Sequence, residues 1–201
     1  ITSVLELDGT QEDIYKLDDV IVTGSHPVYH NKWINVHQHP KAKLLPDIKL
    51  DKVFCLNTTN KTIQLHNTLF RDWDEISIDS LTNKYPEYSN TPFECENGLH
   101  KDTLIVLEDG STKPIHAIKV GEKLLKTKVF GIIKIYGNPV ALYKSNQIIA
   151  SKNALISNKK TALDMREPYL YHLITYSKFF WVKGNKLQLI HDYDEGWDVD
   201  D

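Results

Sequence analysis

Thr23 and His26 bracket Gly24-Ser25 and put a hydroxyl and an imidazole within one short turn. A histidine near its unperturbed pKa of about 6.5 can hand a proton to a leaving group, so His26 is the first candidate for acid–base chemistry. His30, His37 and His39 follow closely. Zinc takes His, Cys, Asp and Glu ligands at compact spacings. His37-Gln-His39 would set two imidazoles on one face of a strand, with Cys55 as a third ligand. Pro27 and Pro40 instead mark surface loops in which histidine is simply polar, and that plainer reading is preferred; neither a metal nor a cofactor is expected. Asp72, Asp74 and Glu75 could form a general base or cation cluster. Cys55 follows Val53-Phe54 in a strand-like run, which reads as a small buried apolar residue rather than a nucleophile.

The elements that must position these residues occur twice. Ile1–Trp33 aligns with Val129–Thr161 without a gap. Ser3-Val-Leu-Glu-Leu7 falls on Gly131-Ile-Ile-Lys-Ile135, and Val20-Ile-Val-Thr-Gly-Ser-His26 on Ile148-Ile-Ala-Ser-Lys-Asn-Ala154. After a length change, Leu56-Asn-Thr58 matches Leu173-Ile-Thr175, and Asp72-Trp-Asp-Glu75 matches Asp192-Tyr-Asp-Glu195. Such self-similarity means one fold used twice. The reactive pair is not repeated: Thr23 and His26 become Ser151 and Ala154. The acidic ending survives where the histidine does not, so Asp72 and Asp192 are assigned a structural role. Trp33 and Trp73 are assigned to packing.

Short β-branched and aromatic runs separated by turn signals predict an all-β fold. Strands are expected at Ser3–Leu7, Val20–Val22, Lys32–Val36, Val53–Asn57 and Asp102–Leu107. Thr59-Asn-Lys61 reads as a hairpin turn between Val53–Asn57 and Thr62–Leu65, and Glu108-Asp-Gly110 as another. A single helical turn is expected within Lys113–Gly121. Asn57-Thr-Thr59 and Asn60-Lys-Thr62 match the N-glycosylation pattern but read as turn residues. The organisation expected is a first unit over 1–78, a linker over 79–97 with a short helix near Ile78–Asn83, and a second unit over 98–201. The net charge of −3 is spread through interleaved Lys, Asp and Glu. No basic stripe suggests nucleic acid, and no apolar run approaches the roughly 20 residues that span a bilayer. Two cysteines, Cys55 and Cys95, exclude a disulfide framework. Residue 1 is not Met, which suggests that the sequence starts inside a longer product.

The run from Asp102-Thr-Leu-Ile-Val-Leu-Glu-Asp-Gly110 through Lys113-Pro-Ile to Val120-Gly-Glu-Lys-Leu124 resembles the opening block of the Hint fold, shared by hedgehog autoprocessing domains and inteins. Thr23-Gly-Ser-His26 with Pro27-Val28 is similar to that family's internal Thr-x-x-His block. Leu69-Phe-Arg-Asp-Trp-Asp-Glu75 resembles the end of Hint-like domains in proteins of large DNA viruses. The resemblance implies two tandem Hint-like units, the first lacking its opening block within this chain.

It also implies an N-to-S acyl shift. A Cys at the start of the opening block attacks the preceding carbonyl, while Thr and His polarise and protonate the leaving amide. Carried to this chain, the Cys position is Gly98; Cys95 lies upstream, roughly 10 Å away at strand spacing. The second unit therefore lacks nucleophile and acid together. Neither unit ends in a His-Asn pair before Cys, Ser or Thr, so splicing is not expected. The expectation is a degenerate Hint-like module with a structural or interaction role, its partners proteins, among them other components of a large DNA virus particle. The alternative is the remnant of a self-processing precursor, with Thr23 and His26 of the first unit as the catalytic pair and a nucleophile upstream of Ile1.

Overall fold

The computed structural model describes residues 1–73, 98–152, 154 and 160–193. The first unit contains β1 (Ser3–Asp8), β2 (Ile14–Leu17), β3 (Val20–Thr23), β4 (Pro27–His30), β5 (Lys32–Asn35), β6 (Lys43–Leu44), β7 (Lys52–Asn57), β8 (Thr62–Leu65) and β9 (Thr68–Arg71). The second contains β10 (Leu104–Val106), β11 (Thr112–Pro114), β12 (Lys123–Leu124), β13 (Thr127–Tyr136), β14 (Leu142–Ser145), β15 (Ile148–Ser151), β16 (Thr161–Leu163), β17 (Tyr169–Thr175), β18 (Phe179–Lys183) and β19 (Leu187–His191). The protein is all-β. The helical segments among the described residues are two 3-10 turns, Val36–Gln38 and Ile115–Ala117. The second falls inside the run where a helical turn is expected.

The repeated strands pair with their own counterparts. β1 runs antiparallel to β13 in the register Ser3↔Ile135, Leu5↔Ile133, Leu7↔Gly131. Leu5 and Ile133 are equivalent in the repeat, so a pseudo-two-fold axis passes between them. The symmetry continues outward. β7 adds to β1 through Leu5↔Cys55, and β17 adds to β13 through Ile133↔His172. The central sheet thus reads β7-β1-β13-β17, with β12 folded onto the start of β13. Gly131 leaves room here for Leu7, since a Cβ on it would lie 2.5 Å from Leu7 Cδ2 and push that side chain aside.

Other elements obey the same equivalence. The hairpin β2–β3 takes β6 on its outer side as β14–β15 takes β16. Left-handed non-glycine residues recur at Asp18 and Asn146, and at Lys61 and Lys178. Three apolar clusters form the core. One lies under the first unit (Leu17, Val28, Val36, Phe70). One lies under the second (among others Leu99, Ile105, Ile115, Leu173, Phe180). The third (among others Leu5, Cys55, Ile133, Ile135, Leu170) fills the axis between them.

Several local expectations are corrected. β7 and β8 do not form a hairpin: β7 pairs with β1, and β8 pairs with β9 across a turn with His66 at φ 51°. The apolar face of β7 belongs to the axis cluster, which draws it away from its sequence neighbour. Asn57 is no turn residue; it is fully buried at the end of β7, and its amide donates to the Tyr193 hydroxyl at 3.1 Å, tying the two units together. The strand expected at Lys32–Val36 stops at Asn35, where the chain enters a 3-10 turn closed by the Gln38 side chain on the Asn35 N–H. The expected linker and its short helix, Cys95, Asp74, Glu75, Asp194 and Glu195 lie outside the described residues. None of the helical segments described is long and apolar enough to cross a membrane.

Candidate functional site

Gly98 enters the second unit beside Ser151. The Gly98 N–H donates to Ser151 Oγ at 2.9 Å, and the Ser151 N–H donates back to the Gly98 carbonyl at 2.8 Å. The residues that the family resemblance would make nucleophile and polarising hydroxyl are therefore neighbours. Gly98 has no side chain, and Ala154, where the resemblance would place a histidine, is buried in the apolar core. The place for a side chain at Gly98 is taken as well: a Cβ there would fall 2.5 Å from Leu170 Cβ and 2.8 Å from its Cδ1. Two residues on, His100 contacts Glu167, Nε2 to Oε1 3.1 Å, and Lys101 reaches the other carboxylate oxygen at 3.4 Å. Burial alone would raise the Glu167 pKa; the hydrogen bond and charge of His100, with Lys101, outweigh it and hold it below the usual range.

In the first unit Thr23 closes β3, and a tight turn follows. The His26 N–H donates to the Thr23 carbonyl at 3.3 Å, and Ser25 Oγ reaches Glu12 Oε2 at 3.0 Å. The His26 ring packs on Phe70 at 5.7 Å, and its Nε2 lies 3.0 Å from the Arg71 carbonyl. A carbonyl only accepts, so Nε2 carries the proton. Burial pushes the His26 pKa below its ordinary value, and the Arg71 carbonyl opposes this only in part. The imidazole is thus neutral at pH 7 and fixed in one tautomer. Thr23 and His26 line a groove of about 750 Å³ whose walls include Val22, Phe54, Leu56 and Leu65.

The acidic residues at the unit ends do the same work in both copies. Asp72 Oδ2 accepts the Thr58 N–H at 2.8 Å and lies 3.3 Å from Thr58 Oγ1. Asp192 Oδ2 accepts the Thr175 N–H at 2.7 Å and lies 3.4 Å from Thr175 Oγ1. The threonine hydroxyl also reaches the first carbonyl of the next strand, Thr62 at 3.1 Å and Phe179 at 3.2 Å. Both aspartates are buried. They pin the crossover from the central sheet to the closing hairpin, which is a structural role. A charge-assisted hydrogen bond of this kind contributes about 1.5–3 kcal/mol. Asp72→Asn and Asp192→Asn are each expected to lower stability by about 1.5 kcal/mol in urea unfolding, in parallel.

The histidine stretch is dispersed. His37 lies in a 3-10 turn, not a strand, with Nδ1 2.9 Å from the Gly24 carbonyl. His30 and His39 stack edge to face at 4.6 Å. Cys55 is buried in the axis cluster. Among the described residues no group of three or more His, Cys, Asp or Glu is placed to hold a metal. Trp33 lies under the Arg71 guanidinium at 4.4 Å, and Trp73 packs on the axis cluster. Sequence reasoning missed His172, a buried imidazole between the rings of Phe180 and Tyr193. Its signal was a lone histidine in the apolar run Tyr169–Thr175. Compared with known proteins, the chain matches no family model, no curated protein and no solved structure.

Proposed function

We propose that the chain is a degenerate, non-cleaving tandem Hint-like module that serves as a structural or interaction piece, a component of a large DNA virus particle. The observation that carries this reading is the sealed site of the second unit. A thioester needs a sulfur and a departing amide needs a proton. Gly98 supplies no sulfur, Ala154 supplies no proton, and Leu170 fills the space that a thiol would need. What remains at this place is packing and main-chain pairing. The virus setting rests on the sequence resemblance alone.

The test is incubation of the purified chain with dithiothreitol or hydroxylamine, read by intact mass. The expected result is an unchanged mass after prolonged incubation. Nucleophile-dependent cleavage next to Gly98 would overturn the reading. Gly98→Cys is expected to remain uncleaved and to lose about 1–3 kcal/mol of stability, because the new side chain overpacks Leu170. A Gly98→Cys chain that cleaves would show that the site is dormant rather than dismantled.

A further inference from the structure

Strand alternation turns Val28, Ile34 and Phe70 into the core of the first unit. Their neighbours Pro27, Tyr29, Trp33, Asn35 and Arg71 therefore share the outer face of the sheet β5-β4-β9. There the guanidinium carbon of Arg71 lies 4.4 Å over the Trp33 ring, and Tyr29 meets Trp33 edge-on at 5.5 Å. One face of the guanidinium is spent on the indole, while its fork of N–H groups stays available. With Pro27, Asn35 and Gln38, this pair lines a pocket of about 320 Å³, at the lower end of the range for small-molecule sites. Gln38 Oε1 accepts the Asn35 N–H at 3.0 Å, which leaves its amide hydrogens as donors. Among the described residues no carboxylate pairs with Arg71, and the side chains of Arg71 and Gln38 make no further polar contact. The shared fold does not ask for the stacked pair. In the repeat Trp33 falls on Thr161 and Arg71 on His191, and the closing hairpin β18–β19 forms with His191 at that place.

We propose that this pocket binds a small hydroxylated carboxylic acid, such as a sugar acid. Two N–H groups of the Arg71 fork donate to the carboxylate oxygens, and the Gln38 amide donates to a hydroxyl oxygen of the ligand body. Arg71 is half-buried against Trp33 and has lost part of its water shell. An oxyanion therefore gains more from it than from a cation in open solvent. The pocket lining holds one cation, which matches the single charge of a carboxylate. A phosphate group, with a charge of about −1.5 to −2, would be only partly compensated. None of these residues lies at the Gly98 place, so the proposal does not depend on the non-cleaving reading.

The probe is sodium glucuronate. It is titrated into the isotope-labelled full chain at constant ionic strength and followed by NMR at the indole N–H of Trp33, which is assigned by its loss in Trp33→Phe. A saturable shift is expected. Arg71→Gln should weaken binding about tenfold or more, as the loss of a charge-assisted pair does. Arg71→Lys should restore only part of it, because a point charge replaces the fork. Glucose, which lacks the carboxylate, should give no saturable shift. Circular dichroism checks that each variant keeps its fold, and if Arg71→Gln does not, Arg71→Lys and Gln38→Ala carry the comparison. Absence of a saturable shift overturns the proposal. So does binding indifferent to the Arg71 and Gln38 substitutions, and so does inorganic phosphate binding as tightly as glucuronate. Binding that appears only in an Asp74→Asn, Glu75→Gln chain also overturns it, since the occupants would then be carboxylates of the chain itself.

Discussion

Acidifying the protein from pH 6.5 to about pH 4 is expected to cost roughly 3 kcal/mol of folding stability through His172 alone. Burial drives the pKa of this side chain from 6.5 down to about 4, the nearby His191 adds a little, and the bond to the Leu173 carbonyl opposes the change. The folded state therefore keeps His172 neutral where the unfolded chain protonates it. Stability is fully present above pH 6.5, falls as the pH drops through the window between the two values, and levels off below about 4. His26 and His39 are also lowered, so the difference between two proteins isolates His172. Urea unfolding of wild type and His172→Leu at stepped pH should give a wild-type curve that falls more steeply in this window. The slope is the readout, because leucine also changes packing against Phe180 and Tyr193. Parallel curves would remove His172 from the acid response.

Ile133→Ala should be the most damaging single truncation of the central sheet, at about 2–5 kcal/mol. Ile133 is fully buried, faces Leu5 across the axis, and belongs to the cluster that both units share. Because the truncated side chain lies between the units, amide exchange should accelerate together in β8–β9 and β18–β19. Loss of protection confined to one unit, or a cost below about 1 kcal/mol, would mean that the axis does not couple them.

The repeat was legible because matching apolar and turn positions survive in sequence, and it matched Asp72 with Asp192; the all-β class was legible from short β-branched and aromatic runs between turn signals. How the copies meet was not legible. Nothing in Ser3–Leu7 says that its partner is Gly131–Ile135 rather than another strand, because alternation marks a face and not a neighbour. For the same reason Thr59-Asn-Lys61 passed as a hairpin turn although β7 and β8 belong to different sheets. At the site, the sequence shows Gly98 and Ala154, without thiol or imidazole, at the two positions where the resemblance would expect them. The closeness of Leu170 to Gly98, and the placement of β3, β7 and β8 at the ends of their sheets among the described residues, depend on residues far apart in the chain and emerge only in three dimensions.

The β1–β13 pairing also sets an order of events for the newborn chain. The hairpins β2–β3, β8–β9, β14–β15 and β18–β19 close locally. β1 cannot find β13 until the long stretch between them has been made, and closing a loop of that length costs about 4 kcal/mol in chain entropy before any contact repays it. Such remote pairings place a domain among the slow folders. At translation rates of roughly 5–20 residues per second, the strand carrying Leu5 and Leu7 spends several seconds outside the ribosome with its permanent partner unmade.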